Sequence, residues 1–458
     1  MRLFALFAVL VLFGSVQAQD SKPAFKAGVA KLVITPQKMG WMTGYGNRNK
    51  PAEGTKADLF TRALALEDGA GKVALLITAD ILGFPPQLSR ELRKDLHDSL
   101  GVDESAIMLV ASHTHGGPAV PQRPSMEIFH GLDDTTGKDV FEYADFLKER
   151  ILVTARQAMA ARNPARVMRT STKATFGMNR RFKNENGTWS IKDNPQGLVD
   201  PEVTILRVLT ADEKPLATVF TYACHCTTLG GDIYQYHADW SGIACDEIEK
   251  ATGGAPALFA TGCGGDLNPS PRGKYEMAEQ HGKAMAKAVT EAPAGRALTG
   301  PIRTKLKSIE LPLDKPPTRE ILEKFSTDKN VFRQRFCKEM LKLMEANKLP
   351  TAVPLPIQVW HFGQDTLVAI GGETCVEYAL RLKKELGDKA WVVGYANEVP
   401  CYIPSEKVLA ESGYEPGWDP ATGRAIASGS MMFYGWPVPF APGIEQRIIS
   451  AAEALVKE

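Results

Sequence analysis

The chain has 458 residues, 44% of them apolar, with 54 basic side chains set against 53 acidic ones. That is ample for a large core, and the balanced charge argues against a nucleic-acid binder or a polybasic membrane patch. Seven cysteines, an odd number at low density, exclude a disulfide-built scaffold but leave room for one or two bridges.

The first element reads as an export signal. Met1-Arg2 gives a basic start, residues 3–13 are an apolar run, and Val16-Gln17-Ala18 has the small-x-small form of a cleavage site. The run is too short to span a bilayer, and no later stretch reaches the roughly 18 apolar residues that a span needs. The expectation is a signal peptide over residues 1–18 and a secreted or periplasmic protein with no integral membrane span. One large domain over residues 19–458 follows from the lack of a linker or repeat.

Along the chain, residues 72–80, 106–113, 257–266 and 391–397 share one pattern, an apolar, β-branched run that stops at polar residues or glycine. Such runs suit strands buried on both faces. Residues 87–100 and 141–162 are amphipathic helices, 203–209 and 215–222 a strand pair, 318–347 a charged helical insertion or hairpin on the surface, and 444–456 a closing helix. The fold class expected is α/β, with buried mixed or parallel sheets flanked by helices in a single catalytic domain. Ligands of such sheets gather beyond strand carboxyl ends, which singles out Asp80, His113, Asp266 and Asn397.

Four motifs carry chemistry. Ser112-His113-Thr114-His115-Gly116-Gly117 places two histidines two apart at a strand end. On extended backbone both rings face one way, one as a ligand, the other as acid, base or second ligand. Cys224-His225-Cys226 ends an apolar stretch. If extended, its cysteines face away from the histidine and read as small buried residues, while His237 and Asp239 read as supporting or substrate-facing groups. Gly262-Cys263-Gly264-Gly265-Asp266 is a Gly-rich turn without the Lys of a phosphate loop. It suits an oxyanion site, with Asp266 binding a hydroxyl or orienting a histidine. Gly371-Gly372-Glu373 puts a carboxylate at a strand end, as hard ligand or general base.

Taken in order, these segments resemble the neutral/alkaline non-lysosomal ceramidase family. Val33-Ile34-Thr35-Pro36, Met42-Thr43-Gly44-Tyr45-Gly46 and Arg62-Ala63-Leu64-Ala65-Leu66 come first. His113-Thr114-His115, His225 with Thr227, Gly265-Asp266 with Pro269, Gly372-Glu373, and Tyr402 with Tyr414 at a spacing of 12 then follow. The resemblance implies Zn²⁺ held by His113, His225, Glu373 and Tyr402. It places His115 and Tyr414 by the scissile amide and implies Arg180 as the site arginine, with its neighbour Arg181 as the alternative; Asp266 and Asn268 complete the catalytic set.

The chain departs from the family in two respects. The family's serine in Gly-Asp-Val-Ser-Pro falls on Asn268, which cannot act as a nucleophile, so the expected route is attack by zinc-activated water. The family's C-terminal immunoglobulin-like domain is expected to be absent. The implied function is cleavage of a small-molecule or lipid N-acyl substrate, ceramide among the candidates. The alternatives are an esterase, lactonase or sugar-amide hydrolase on the same metal, or a non-catalytic lipid- or carbohydrate-binding exported protein.

Overall fold

The computed structural model describes residues 24–458 apart from Arg123 and Asp134, and the expected export signal lies outside the described residues. The first sheet comprises β1 (Phe25–Val33), β2 (Phe60–Asp68), β3 (Val73–Ala79), β4 (Ile107–Ala111), β5 (Asn163–Lys173), β6 (Glu202–Thr210), β7 (Pro215–Tyr222) and β8 (Ala257–Thr261). Their order is β8-β7-β6-β5-β1-β2-β3-β4, with the short Arg296–Ala297 segment also paired to β5. The second sheet is β9 (Ile302–Pro312), β10 (Ala352–Phe362), β11 (Asp365–Ile370) and β12 (Ala390–Val393), in that order. Both sheets are mixed: only β3–β4, β7–β8 and β11–β12 run parallel among these strands.

The helices include, in chain order, α1 (Pro86–Leu100), α2 (Ser125–Phe129), α3 (Lys138–Ala160), α4 (Asp239–Ala251), α5 (Tyr275–Glu291), α6 (Arg319–Phe325), α7 (Val331–Glu345), α8 (Val376–Leu386), α9 (Gly429–Tyr434) and α10 (Ile444–Lys457), with one further short turn of helix, Glu406–Ala410, between α8 and α9. The run Ala63-Leu64-Ala65-Leu66 of β2 shows why a strand covered on both faces is apolar at successive positions. Successive side chains alternate between faces, so Ala63 and Ala65 meet Leu88, Leu92 and Ile151 of α1 and α3. Leu64 and Leu66 meet Trp360, Phe362 and Trp391 of the second sheet. The outer face of that sheet, through Ile357, Val359 and Ile370, packs on Phe336, Tyr378 and Ile448 of α7, α8 and α10. The result is four layers, helix, sheet, sheet and helix.

Two contacts set the geometry of the site. Thr261 Oγ1, at the end of β8, donates to the Ala111 carbonyl at the end of β4 over 2.7 Å, so the curled first sheet brings its two edge strands together. Asn397, beyond β12, then fastens the second sheet to that edge. Its N–H donates to Leu109 O at 2.6 Å, its Oδ1 accepts from Leu109 N at 3.3 Å, and its Nδ2 donates to Gln358 at 2.8 Å. Residues 318–347 form the expected helical hairpin, α6 and α7, but not a bare surface attachment. Phe336, Cys337 and Met340 are buried in the core, and Phe332 packs on Phe433 of α9 at 5.3 Å. All seven cysteines are buried and unpaired, so the one or two bridges for which the sequence leaves room do not form.

Candidate metal centre

His113 and His225 are brought together by the closure of the first sheet. The chain leaves β4 at Ala111 and enters the left-handed region at His113, with φ 58°. The His113–His115 stretch is therefore not extended, yet the two rings still meet, Nε2 to Nε2, at 3.1 Å. Alternation along a strand is not what pairs them. Arg48 holds this loop by donating through Nη1 to the His115 and Thr43 carbonyls, each at 2.6 Å. His225 lies just beyond β7, where Thr114 and Cys226 form a bridge between the two loops. Glu373 and Tyr402 come from the second sheet's side, on two short strands paired in parallel at those two residues.

The ring nitrogens define what this cluster does. His113 Nδ1 lies 2.6 Å from Leu82 O, and His225 Nδ1 lies 2.7 Å from Gly264 O. A neutral imidazole places its one proton there, which leaves Nε2 as a lone pair. Burial first, then nearby Arg180, holds His225 down to about 3, so its ring is neutral. Glu373 Oε2 sits 3.0 Å from His113 Nε2 and 3.3 Å from His225 Nε2, buried and without a hydrogen-bond donor. Three buried lone-pair atoms facing one another repel unless a cation lies among them. Ligands at ~2.0–2.1 Å from a tetrahedral ion stand about 3.3–3.4 Å apart, close to the two separations here. The ring nitrogens of His113, His115 and His225 all lie within 4.8 Å of one another, a group able to hold a metal.

Tyr402 adds a phenol oxygen 3.0 Å from His225 Nε2. Arg180 donates to that oxygen at 2.9 Å, to Glu415 Oε1 at 2.9 Å and to Asn268 Oδ1 at 3.2 Å. Of the two neighbouring arginines it is Arg180 that faces the cluster; Arg181 turns to Glu415, Glu411 and the Trp189 ring. Asn268 Oδ1 also accepts from Thr227 at 3.0 Å.

A cavity of about 770 Å³ opens from the cluster. His115, Glu373, Tyr402, Tyr414 and Tyr434 line its polar floor, and Leu82, Val120, Met126, Phe129, Val399 and Phe433 its apolar walls. Arg180, Asp266 and Asn268 lie behind this floor and do not line it. Asp266 points away, its Oδ1 accepting from Val376 N at 2.8 Å at the start of α8 and its Oδ2 from Asn179 at 2.9 Å. It orients neither a histidine nor a hydroxyl. Burial, with Glu377 beside it, pushes its carboxyl up to about 8. Asp266, Cys375 and Glu377 form a second compact group, but the Asp266 oxygens are already engaged.

The other strand-end candidates are structural. Asp80 forms a buried ion pair with Arg62 at 3.0 Å, and Asn397 joins the sheets. Asp239 accepts from the Thr228 and Leu229 N–H groups and from Trp240 N, while His237 takes the Asp239 N–H on Nδ1. Cys224 is buried in the core, and Cys226 Sγ lies against Ser112 O and Ser241.

Sequence reasoning misses Tyr434, whose phenol donates to Glu373 Oε1 at 2.6 Å, and Tyr395, whose ring lies 4.5 Å from that of His113. Only the aromatic density of the stretch around Met431-Met432-Phe433-Tyr434 hints at the first.

A family model described as neutral/alkaline non-lysosomal ceramidase, N-terminal, matches residues 25–311. Neutral ceramidase B of Dictyostelium discoideum is 24% identical over 267 residues, 56% of this chain and 36% of that protein. Neutral ceramidase of Drosophila melanogaster is 31% identical over 122 residues, 26% of this chain and 16% of that protein. The chain thus spans about a third or less of the length of the relatives it matches. Among solved structures, neutral ceramidase from Pseudomonas aeruginosa superposes with a TM-score of 0.69 at 20% identity, over 96% of this chain and 75% of that one. A ceramidase complexed with C2 gives 0.70 at 19% identity, over 95% and 76%. At such identities the structural likeness is one of fold.

Proposed function

Because this chain belongs to the neutral/alkaline non-lysosomal ceramidase family, we propose that it is a zinc-dependent hydrolase cleaving the amide of an N-acyl compound such as ceramide. The observation that carries this reading is the convergence of His113 Nε2 and His225 Nε2 on Glu373 Oε2, with Glu373 lining an apolar-walled cavity. Two histidines and a carboxylate are what a catalytic zinc takes, with Tyr402 beside them as a fourth donor.

A zinc ion supplies Lewis acidity there, activating water at neutral pH and polarising a carbonyl. The chain's own groups do the rest. His115 lines the cavity, and burial followed by its two histidine neighbours keeps it well below its usual range, so its ring is neutral before the reaction. It takes a proton from the attacking water on a ring nitrogen and passes it to the leaving amine. The Tyr414 phenol borders the same cavity, with its ring 5.4 Å from that of Tyr402, and donates to the developing oxyanion. Arg180 acts through Tyr402, fixing its oxygen. Asn268 offers no nucleophile and serves instead as an acceptor for Arg180 and Thr227, which favours water as the attacking group. The apolar walls exclude bulk water and receive a hydrocarbon chain.

We further propose that the protein is exported, on the pattern of residues 1–18. No helix among the described residues is long and apolar enough to cross a membrane.

The test is metal analysis joined to a panel of N-acyl and ester substrates, with and without chelator. The expected result is about one zinc per chain, since the site has one ligand set, and N-acyl turnover that is lost on chelation and restored by zinc. Full activity and zinc content in His225→Ala would sink the metal assignment. Turnover of esters alone would replace the amidase reading.

A further inference from the structure

Glu373 uses its two oxygens for two different partners. Oε2 faces His113 and His225, while Oε1 accepts from the Tyr434 phenol at 2.6 Å. Tyr434 closes α9, just before Gly435 in the left-handed conformation (φ 80°). Its position is set by its neighbours on either side in sequence. Met431 and Met432 are buried in the core of the second sheet's outer face, and Trp436 Nε1 donates to Pro400 O at 2.9 Å. The hydroxyl is therefore delivered to Oε1 by a packed turn.

A carboxylate free to rotate can offer an ion either one oxygen or both. One whose Oε1 is occupied by a short phenol hydrogen bond offers only Oε2. Tyr434 also stands where the inner cavity meets an outer groove of about 1630 Å³ that includes Leu88, Phe141 and Trp436, so the residue that holds the carboxylate forms part of the entry as well.

We propose that Tyr434 is a positioning residue for Glu373. It fixes the carboxylate in a one-oxygen presentation toward the ion and so sets the affinity and coordination number of the centre. The proposal rests on the metal-binding reading above and goes beyond it by assigning a residue outside the expected ligand set.

The experiment is Tyr434→Phe, which keeps the ring and removes one O–H. Zinc affinity is measured by competition with a chromophoric chelator, and the visible spectrum of the cobalt-loaded protein reads the coordination number. Zinc binding is expected to weaken by about 10–100-fold, with weaker cobalt bands as the freed carboxylate adds a second oxygen. Unchanged zinc affinity and an unchanged cobalt spectrum would overturn the proposal. Trp436→Phe breaks the neighbouring bond to Pro400 without touching Glu373 and is expected to keep wild-type affinity. An equal loss there would show general loosening of the turn and would also overturn the assignment. A wild-type protein that binds no zinc defeats the metal reading itself, so the two failures are distinguishable.

Discussion

Arg180 donates through Nη2 to the Tyr402 phenol oxygen over 2.9 Å, and the same guanidinium reaches Glu415 and Asn268. A planar fork can hold three acceptors in fixed directions; an ammonium on a flexible stem cannot. In Arg180→Lys, kcat is expected to fall by about 10²-fold, the scale of a misplaced catalytic constellation, with zinc content retained. Steady-state kinetics beside metal analysis check it.

Arg181 separates stability from catalysis. It donates to Glu415 Oε2 at 2.7 Å and to Glu411 at 2.9 Å but does not reach Tyr402. Arg181→Ala leaves the buried Glu415 carboxylate half-compensated, so about 3 kcal/mol of stability should be lost in denaturant titration. The kcat of the folded fraction should stay near wild type.

Gly44 has φ 95°, and a Cβ there would lie 2.6 Å from His115 Nδ1. In Gly44→Ala the His115 ring must move. A loss in kcat of about 10²-fold is expected, at the lower end of what a general acid contributes. Zinc content should persist, because His113 and His225 are untouched.

Tyr395 is fully buried, sits at φ 52°, and carries a hydroxyl without a hydrogen-bond partner. Tyr395→Phe keeps the ring packed on His113 and removes the orphaned group, so stability should rise by about 1 kcal/mol. A thermal melt showing a lower Tm would refute this.

Burial holds both His130 and His237 down to about 4. Their unfolded-state value is near 6.5, so between about pH 6.5 and 4 the unfolded chain binds protons that the folded chain does not. Stability therefore falls as pH drops through that window and is fully present above it. His130→Phe, packed between Trp41 and Phe129, removes one such site. Its Tm should decline less steeply with acid than that of the wild type.

Much of the fold was legible because β3, β4, β8 and β12 are apolar at nearly every position, the mark of strands covered on both faces. Which strands pair in parallel was not, since strand direction depends on partners far along the chain. The rule that strand ends carry chemistry picked out His113 but also Asp80 and Asn397, whose polar groups are spent on Arg62 and Leu109. Buried polar staples and site residues look alike in sequence. Tyr434 was invisible for a simpler reason, that its hydroxyl meets Glu373, 61 positions away in sequence, through packing with no local pattern.

The proposed metal donors come from two sides of the fold, His113 and His225 from beyond strand ends of the first sheet and Glu373 and Tyr402 from the short strand pair beside the second. An ion there would rivet the two layers. A compact state in which each sheet has formed but the layers have not yet docked would hold only half a ligand set and bind the ion weakly. Metal capture would then time the last step of assembly, and stripping the ion should loosen the seam between the sheets before it disturbs either sheet.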